Sequence, residues 1–153
     1  MGRTASQFSD LSEPQLKGQA TEAIVKSEFV VRGYSLLEPP YDNEPYDFVI
    51  EADDKFLRIQ AKTARETATG TIQFETVSTK ARSDGYVRDD YTGKIDFFAV
   101  FAPTLEEVYL VSIEDAAKGK MEIRFEEPAN NQWAGINWHE DYLLDTVLEP
   151  TAN

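Results

Sequence analysis

The chain has 153 residues, enough for one domain with a sizeable core, and a formal net charge of −13 from 15 Lys and Arg against 28 Asp and Glu. It has no cysteine and one histidine, His139, which excludes disulfides, cysteine nucleophiles, thiolate metal sites and a multi-histidine zinc centre within one chain. No apolar run of signal-peptide or membrane-spanning type occurs, so the expectation is a soluble, cytoplasmic protein with no membrane partner.

An acidic balance argues against a nucleic-acid binder, which usually carries a basic excess. Its distribution weakens that argument. Residues 58–94 hold seven basic and five acidic side chains, a local charge of +2, which leaves −15 on the remainder. A strongly acidic surface is also expected of an enzyme in very salty cytoplasm, so a halophilic archaeon is the expected source, with an ordinary acidic protein as the alternative.

In chain order, residues 1–10 are small and polar and read as a flexible N-terminus, leaving 11–153 as a single domain. Ser12 as N-cap with Pro14 in the first turn opens a helix, along which Leu16, Ala20, Ala23, Ile24, Ser27 and Val31 recur at helical spacing until Gly33 closes it. Glu22 lies beside that stripe, one turn from Gly18, whose missing side chain would admit a neighbouring hairpin. Glu22 also stands four residues before Lys26, the spacing of an ordinary surface ion pair.

Residues 34–37 read as a short strand, and the proline-rich stretch 38–45 as a rigid loop leading into a hairpin over 46–62 closed by Asp53-Asp54. A turn centred there sets Phe48 opposite Ile59 and Ile50 opposite Leu57, which makes one face apolar. On the other face Asp47 stands opposite Gln60, and the two-residue period adds Lys62. Opposed Cβ atoms lie about 4.5–5.5 Å apart, so an acid, an amide and a lysine converge. Asp47, the Gln60 side-chain oxygen and the Ala61 carbonyl are oxygen ligands suited to a hard divalent cation.

Asp47, a hairpin, then Gln60-Ala61-Lys62 resembles the signature of the PD-(D/E)XK nucleases. The segment Gly18-Gln19-Ala20-Thr21-Glu22-Ala23 resembles the first-helix motif that supplies a further carboxylate in that superfamily. Gln in the third position is similar to the branch found in group I intron-encoded homing endonucleases; archaeal Holliday-junction resolvases usually carry an acid there. The resemblance covers roughly residues 15–115. It departs from the pattern in two places: Tyr46 separates Pro45 from Asp47, and the neutral Gln60 amide holds a metal more weakly than a carboxylate, which puts more weight on Glu22.

After Lys62, residues 63–70 read as a loop and 72–77 as a strand. Residues 78–93 read as a long polar loop whose Lys80, Arg82 and Arg88, interleaved with Tyr86 and Tyr91, suit phosphate contacts and base stacking; a mobile charged loop is the alternative. The apolar run 95–101 reads as a central strand paired with 108–113, with Asp96 as a strand-start cap. A short helix is expected over 112–119 and a strand over 121–125. The aromatic tail, with Trp133, Trp138, His139 and Tyr142, reads as a helix covering the core or forming a subunit interface.

The resemblance implies an α/β fold with a restriction-endonuclease-like mixed central sheet flanked by helices. It implies a DNA endonuclease using Mg2+ or Mn2+, with Glu22, Asp47, Gln60 and Lys62 catalytic and Glu22, Asp47, Gln60 and Ala61 around the metal. Arg65, Lys80, Arg82, Arg88 and Lys94 are the expected DNA contacts, and cutting both strands implies a homodimer or homotetramer. The alternatives are a Holliday-junction resolvase and a catalytically weakened module that binds DNA or a protein.

Overall fold

The computed structural model describes residues 3–148, with the side chains of residues 3–5, 80–82 and 87 outside that description. The hairpin forms as β2 (Phe48–Ala52) and β3 (Lys55–Thr63) in the expected register, Phe48 opposite Ile59 and Ile50 opposite Leu57. Asp53 and Asp54 both have positive φ, +50° and +62°. That is the requirement of a type I′ turn, whose twist matches that of a two-residue hairpin.

Five strands make one mixed sheet in the order β1 (Ser35–Leu37), β2, β3, β8 (Phe97–Ala102), β9 (Glu107–Ser112). β3 and β8 run parallel and the other pairs antiparallel. The run of apolar residues in β8 suits a strand covered on both faces, and all but its first residue are buried.

One face receives the long helix α2 (Pro14–Val31). Its Thr21, Val25 and Phe29, spaced by four, are buried, and Phe29 meets Phe48 edge to face at 5.7 Å. The core there joins Val25 and Phe29 to Phe48, Ile50, Ile59, Ala99, Phe101 and Leu110. On the opposite face Phe98, Val100, Tyr109 and Val111 pack on Ile72, Phe74, Met121 and Ile123 of a second sheet. That sheet has three strands in the order β10 (Lys120–Arg124), β5 (Thr71–Glu75), β4 (Arg65–Glu66). A separate two-stranded ribbon, β6 (Val77–Arg82) with β7 (Gly85–Asp90), completes the strands.

Several expectations are corrected. Residues Arg3–Ser9 form a helix, α1, because Phe8 is 6% exposed and packs edge to face on Phe101 at 5.3 Å. The N-cap of α2 is Glu13 rather than Ser12, and no side chain caps it. Gly18 is exposed, and a Cβ there would meet nothing within 4 Å, so it admits no neighbour. Residues 78–93 are mostly ribbon: the pairing Val77↔Asp90 to Arg82↔Gly85 gives their backbone partners that a loop reading overlooks. Residues 113–119 turn without forming a helix.

The tail is not one helix either. It runs as loop, a 3₁₀ turn (His139–Tyr142) and a single turn α3 (Leu144–Val147). Leu143 bridges Tyr109 on the sheet edge, His139 Nδ1 lies 2.9 Å from the Tyr109 hydroxyl, and Arg32 binds Asp145. These long-range contacts, rather than helical periodicity, tie the segment to the sheet edge, although Trp133 stays exposed and Trp138, His139 and Tyr142 only half-buried.

If α1 is held by its aromatic contact, Phe8→Ala lowers unfolding free energy in urea by about 3 kcal/mol. Phe56→Ala, whose ring is 62% exposed, changes it by less than about 0.5 kcal/mol. Equal effects of the two substitutions would contradict this account of the N-terminus.

Candidate active site

The same alternation that buries Phe48, Ile50 and Ile59 against α2 turns Asp47, Gln60 and Lys62 to the other face of the sheet. There Gln60 stands beside Phe98 and Lys62 beside Val100. Asp47 is anchored at the mouth of β2. Its N–H donates to the Ile59 carbonyl at 2.8 Å, and its Oδ2 accepts the Ala61 N–H at 2.8 Å. The Gln60 amide Nε2 lies 3.4 Å from the Ala61 carbonyl oxygen. Turned over, that amide would present Oε1 beside the same carbonyl.

Burial raises the Asp47 carboxyl to about 6; the Ala61 N–H opposes the rise, the charge of Glu22 adds to it, and Lys62 and Lys26 oppose it. Glu22 therefore stands within electrostatic reach of Asp47 from α2. The helix is seated there by Thr21, whose hydroxyl lies 2.6 Å from that of Thr63. The expected surface pair also exists: Lys26 Nζ is 3.5 Å from Glu22 and 2.8 Å from Glu38.

Lys62 is half-buried on this face. Burial lowers its pKa, against the pull of Asp47 and Glu75. Its Nζ donates to the Tyr91 hydroxyl at 3.2 Å and lies 4.8 Å from the ring centroid, nearer the hydroxyl than the ring face. Tyr91 is 6% exposed and stacks edge to face on Phe98 at 5.3 Å, which in turn meets Phe74 at 5.6 Å. Burial and the charge of Asp47 raise the Tyr91 pKa, and a hydrogen bond with Ser78 works the other way. The sequence pattern groups Tyr91 with Tyr86 as stacking residues of one loop. The structure separates them: Tyr86 is exposed on the ribbon, while Tyr91 is a wall of the lysine's pocket. No spacing in the sequence marks that contact, because the pairing of β3 with β8 brings it about across some thirty residues.

A cleft of about 560 Å³ opens over this face, lined by Asp42, Glu44, Asp47 and Gln60 on one side and Ser78, Asp89, Asp90, Tyr91 and Lys94 on the other. Five acids against one lysine make it hostile to a bare phosphate and receptive to a cation. Among the described residues, no group of three or more His, Cys, Asp or Glu is placed to hold a metal. Any cation here would be held by a mixed set of carboxylate, amide and carbonyl oxygens, which is chemistry that hard divalent ions accept.

Of the basic residues expected at DNA, Lys94 is exposed and lines the cleft. Arg65 is bonded to Gln73 on the second sheet, away from the cleft lining, and Arg88 pairs with Glu75 at 3.5 Å. The side chains of Lys80 and Arg82 lie outside the described residues. Asp96 is a structural acid: it accepts the Arg58 N–H at 2.8 Å and its guanidinium at 3.2 Å. Burial would raise its pKa, and those bonds and the charge of Arg58 hold it below the usual value.

The raised carboxyl of Asp47 has a measurable consequence for stability. A carboxyl that titrates higher in the folded than in the unfolded chain binds more protons when folded, so metal-free stability falls as pH rises from about 4 to about 6 and stays reduced above that. Asp47→Asn removes that half-buried charge. With metal chelated it stabilises the protein by about 1–3 kcal/mol at pH 7.5. That gain shrinks towards zero near pH 4; a gain independent of pH would contradict the assignment.

A sequence profile of the PD-(D/E)XK endonuclease family matches residues 12–145. Protein 5.3 of Escherichia phage T7 is 32% identical over 110 residues, covering 72% of this chain and 88% of that protein. A bacterial homing endonuclease of known structure, I-Ssp6803I, is similar with a TM-score of 0.71 over 84% of this chain and 90% of that one, at 19% identity. The structural likeness shows the fold, a restriction-endonuclease-like mixed sheet with α2 on one face. The family match spans α2, the β2–β3 hairpin and the strand β8 that pairs with Lys62, and the chain is a member of the PD-(D/E)XK endonuclease family.

Proposed function

We propose that the protein is a DNA endonuclease that hydrolyses phosphodiester bonds with the help of a divalent metal ion, at the face carrying Asp47, Gln60 and Lys62. The observation that carries this reading is the placement of Lys62: a half-buried lysine, bonded to Tyr91, on the same sheet face as the half-buried carboxylate of Asp47, which lines an acidic cleft together with Tyr91. A structural lysine has little reason to bear that desolvation.

In this reading Asp47 and Glu22, with the Gln60 side-chain oxygen and the Ala61 carbonyl, hold Mg2+ or Mn2+. The bound ion supplies Lewis-acid polarisation of the scissile phosphate and offsets the negative charge of the cleft. Asp47 is kept in place by the Ala61 N–H, so its second oxygen is free to face the cleft. The Lys62 ammonium stabilises the negative charge that gathers on the phosphoryl oxygens as water attacks and the P–O bond to the leaving strand breaks. Its lowered pKa also brings the neutral amine nearer, able to take a proton from the attacking water. Tyr91 fixes the amine's position. Duplex cleavage would draw on two copies of the chain, one for each strand.

A homing-endonuclease-like role fits the Gln at position 60 and the likeness to I-Ssp6803I. A non-catalytic binding module is favoured by one observation, that the Gln60 amide donates to Ala61 where an acid would face a metal.

Purified protein should nick supercoiled plasmid in Mg2+ or Mn2+ and not in chelator. Lys62→Ala should lose at least about a hundredfold in rate, whereas Tyr91→Phe, which keeps the ring on Phe98, loses on the order of tenfold in kcat with little change in KM. Absence of cleavage on plasmid, linear duplex and four-way junction at low and near-molar salt would leave the binding module as the reading.

A further inference from the structure

The ribbon β6–β7 belongs to neither sheet, and its six residue pairs are about 20 Å long at the usual rise per residue. It stands between two hollows. Ser78 and Asp89, opposite one another, line the catalytic cleft; Val77 and Arg88, on the alternate positions, line a second hollow of about 270 Å³ with Thr76, Ala117 and Lys118. Asp90, paired with Val77 at the base of the ribbon, borders both hollows; beyond it, period-two alternation turns Ser78 and Asp89 toward the chemistry and Arg88 away from it.

Over residues 77–90 three basic and three acidic side chains cancel, but they are segregated along the ribbon. Residues 79–88 contain Lys80, Arg82 and Arg88 against Asp84, a charge of +2 in a chain of −13. The acids of its strands, Asp89 and Asp90, sit at its root beside the cleft, and Asp90 borders the second hollow as well, where Arg88 and Lys118 outnumber it. Tyr86 is 78% exposed with no core to serve, and the Arg88 pair with Glu75 spans 3.5 Å between side chains that are both more than half exposed, so it holds Arg88 weakly. The chain leaves the ribbon directly into Tyr91, whose hydroxyl holds Lys62.

A two-stranded ribbon fits the major groove of B-DNA, about 12 Å wide, and not the minor groove of about 6 Å. A ribbon lying in the major groove has one phosphate strand on each side. Building on the endonuclease reading above, we propose that β6–β7 enters the major groove of duplex DNA, so that one strand runs past Lys62 and the opposite strand's phosphates rest on Arg88 and Lys118 in the second hollow. Ribbon and catalytic lysine then act as one unit: the depth of insertion sets which phosphate reaches Lys62, and Tyr86 lies where base edges are read.

The test is binding of a fluorescent duplex in chelator, which keeps metal-assisted cleavage from intervening, across a salt titration. Arg88→Ala and Lys118→Ala should each reduce the slope of log affinity against log salt by roughly 0.9, the value of one phosphate contact. Lys17→Ala on α2 and Lys55→Ala at the hairpin turn should leave it unchanged. Dimethyl sulfate footprinting of the same complex should show protection at guanine N7, in the major groove. Slopes for Arg88→Ala and Lys118→Ala equal to the wild type, protection at adenine N3 with guanine N7 open, or no duplex binding at low salt would each overturn the proposal. The endonuclease reading stands apart from it. A nuclease that meets DNA elsewhere would nick plasmid and keep its salt slope, whereas a ribbon-bound protein that never cuts would pass the binding test and fail the nicking test.

Discussion

The pairing of Phe48 with Ile59 is the constraint on which both the core and the candidate site depend. It sends Phe48, Ile50 and Ile59 into the layer shared with Phe29 of α2, and the same alternation sends Asp47, Gln60 and Lys62 the other way. A slip of one residue would exchange the two sets, exposing three fully buried apolar side chains and pressing a carboxylate and a lysine against α2. The apolar pairs therefore hold the polar group in register. Asp53 and Asp54 terminate the strands with the positive φ that a two-residue turn needs, so turn and core agree.

Against that rigid frame the polar group is under electrostatic tension. Asp47 and Lys62 lie on one face, each shifted by burial toward its neutral form and each pulled back in part by the other. Glu22, brought in by α2, raises the tension. Groups in this condition are poised to release free energy when a compensating charge arrives. In the proposed function a divalent cation relieves the acids, and a phosphate relieves the lysine. The acidic lining of the cleft, with Asp89 and Asp90 at the root of the ribbon, gives that order a reason: without a cation the cleft repels the substrate.

How much of this could be read in the sequence varied with the range of the interaction. The hairpin register, the long helix and the central strand were legible because each depends on local periodicity and a short turn. The placement of Asp47, Gln60 and Lys62 on one face followed from the same period of two. What escaped were features made by distant partners. Residues 78–93 have the composition of a loop, but cross-strand pairing makes most of them a ribbon. Tyr91 gains its place beside Lys62 only through the parallel pairing of β3 with β8 and the support of Phe98. The N-terminal helix depends on one ring meeting Phe101, and the aromatic tail is held by the Tyr109–His139 and Arg32–Asp145 contacts rather than by helical propensity. Gly18 shows the reverse error, a small residue given a purpose where it merely faces solvent.

The central claim is that the Asp47 face, rather than the acids elsewhere in the cleft, is where the metal and Lys62 meet. Anomalous diffraction from crystals equilibrated with Mn2+ tests it most directly. The account predicts a peak bound by the Asp47 carboxylate and the Ala61 carbonyl, with the Gln60 amide oxygen turned toward it and Glu22 in the same shell or one water away. A peak held between Asp89 and Asp90, or none at saturating Mn2+, would contradict it.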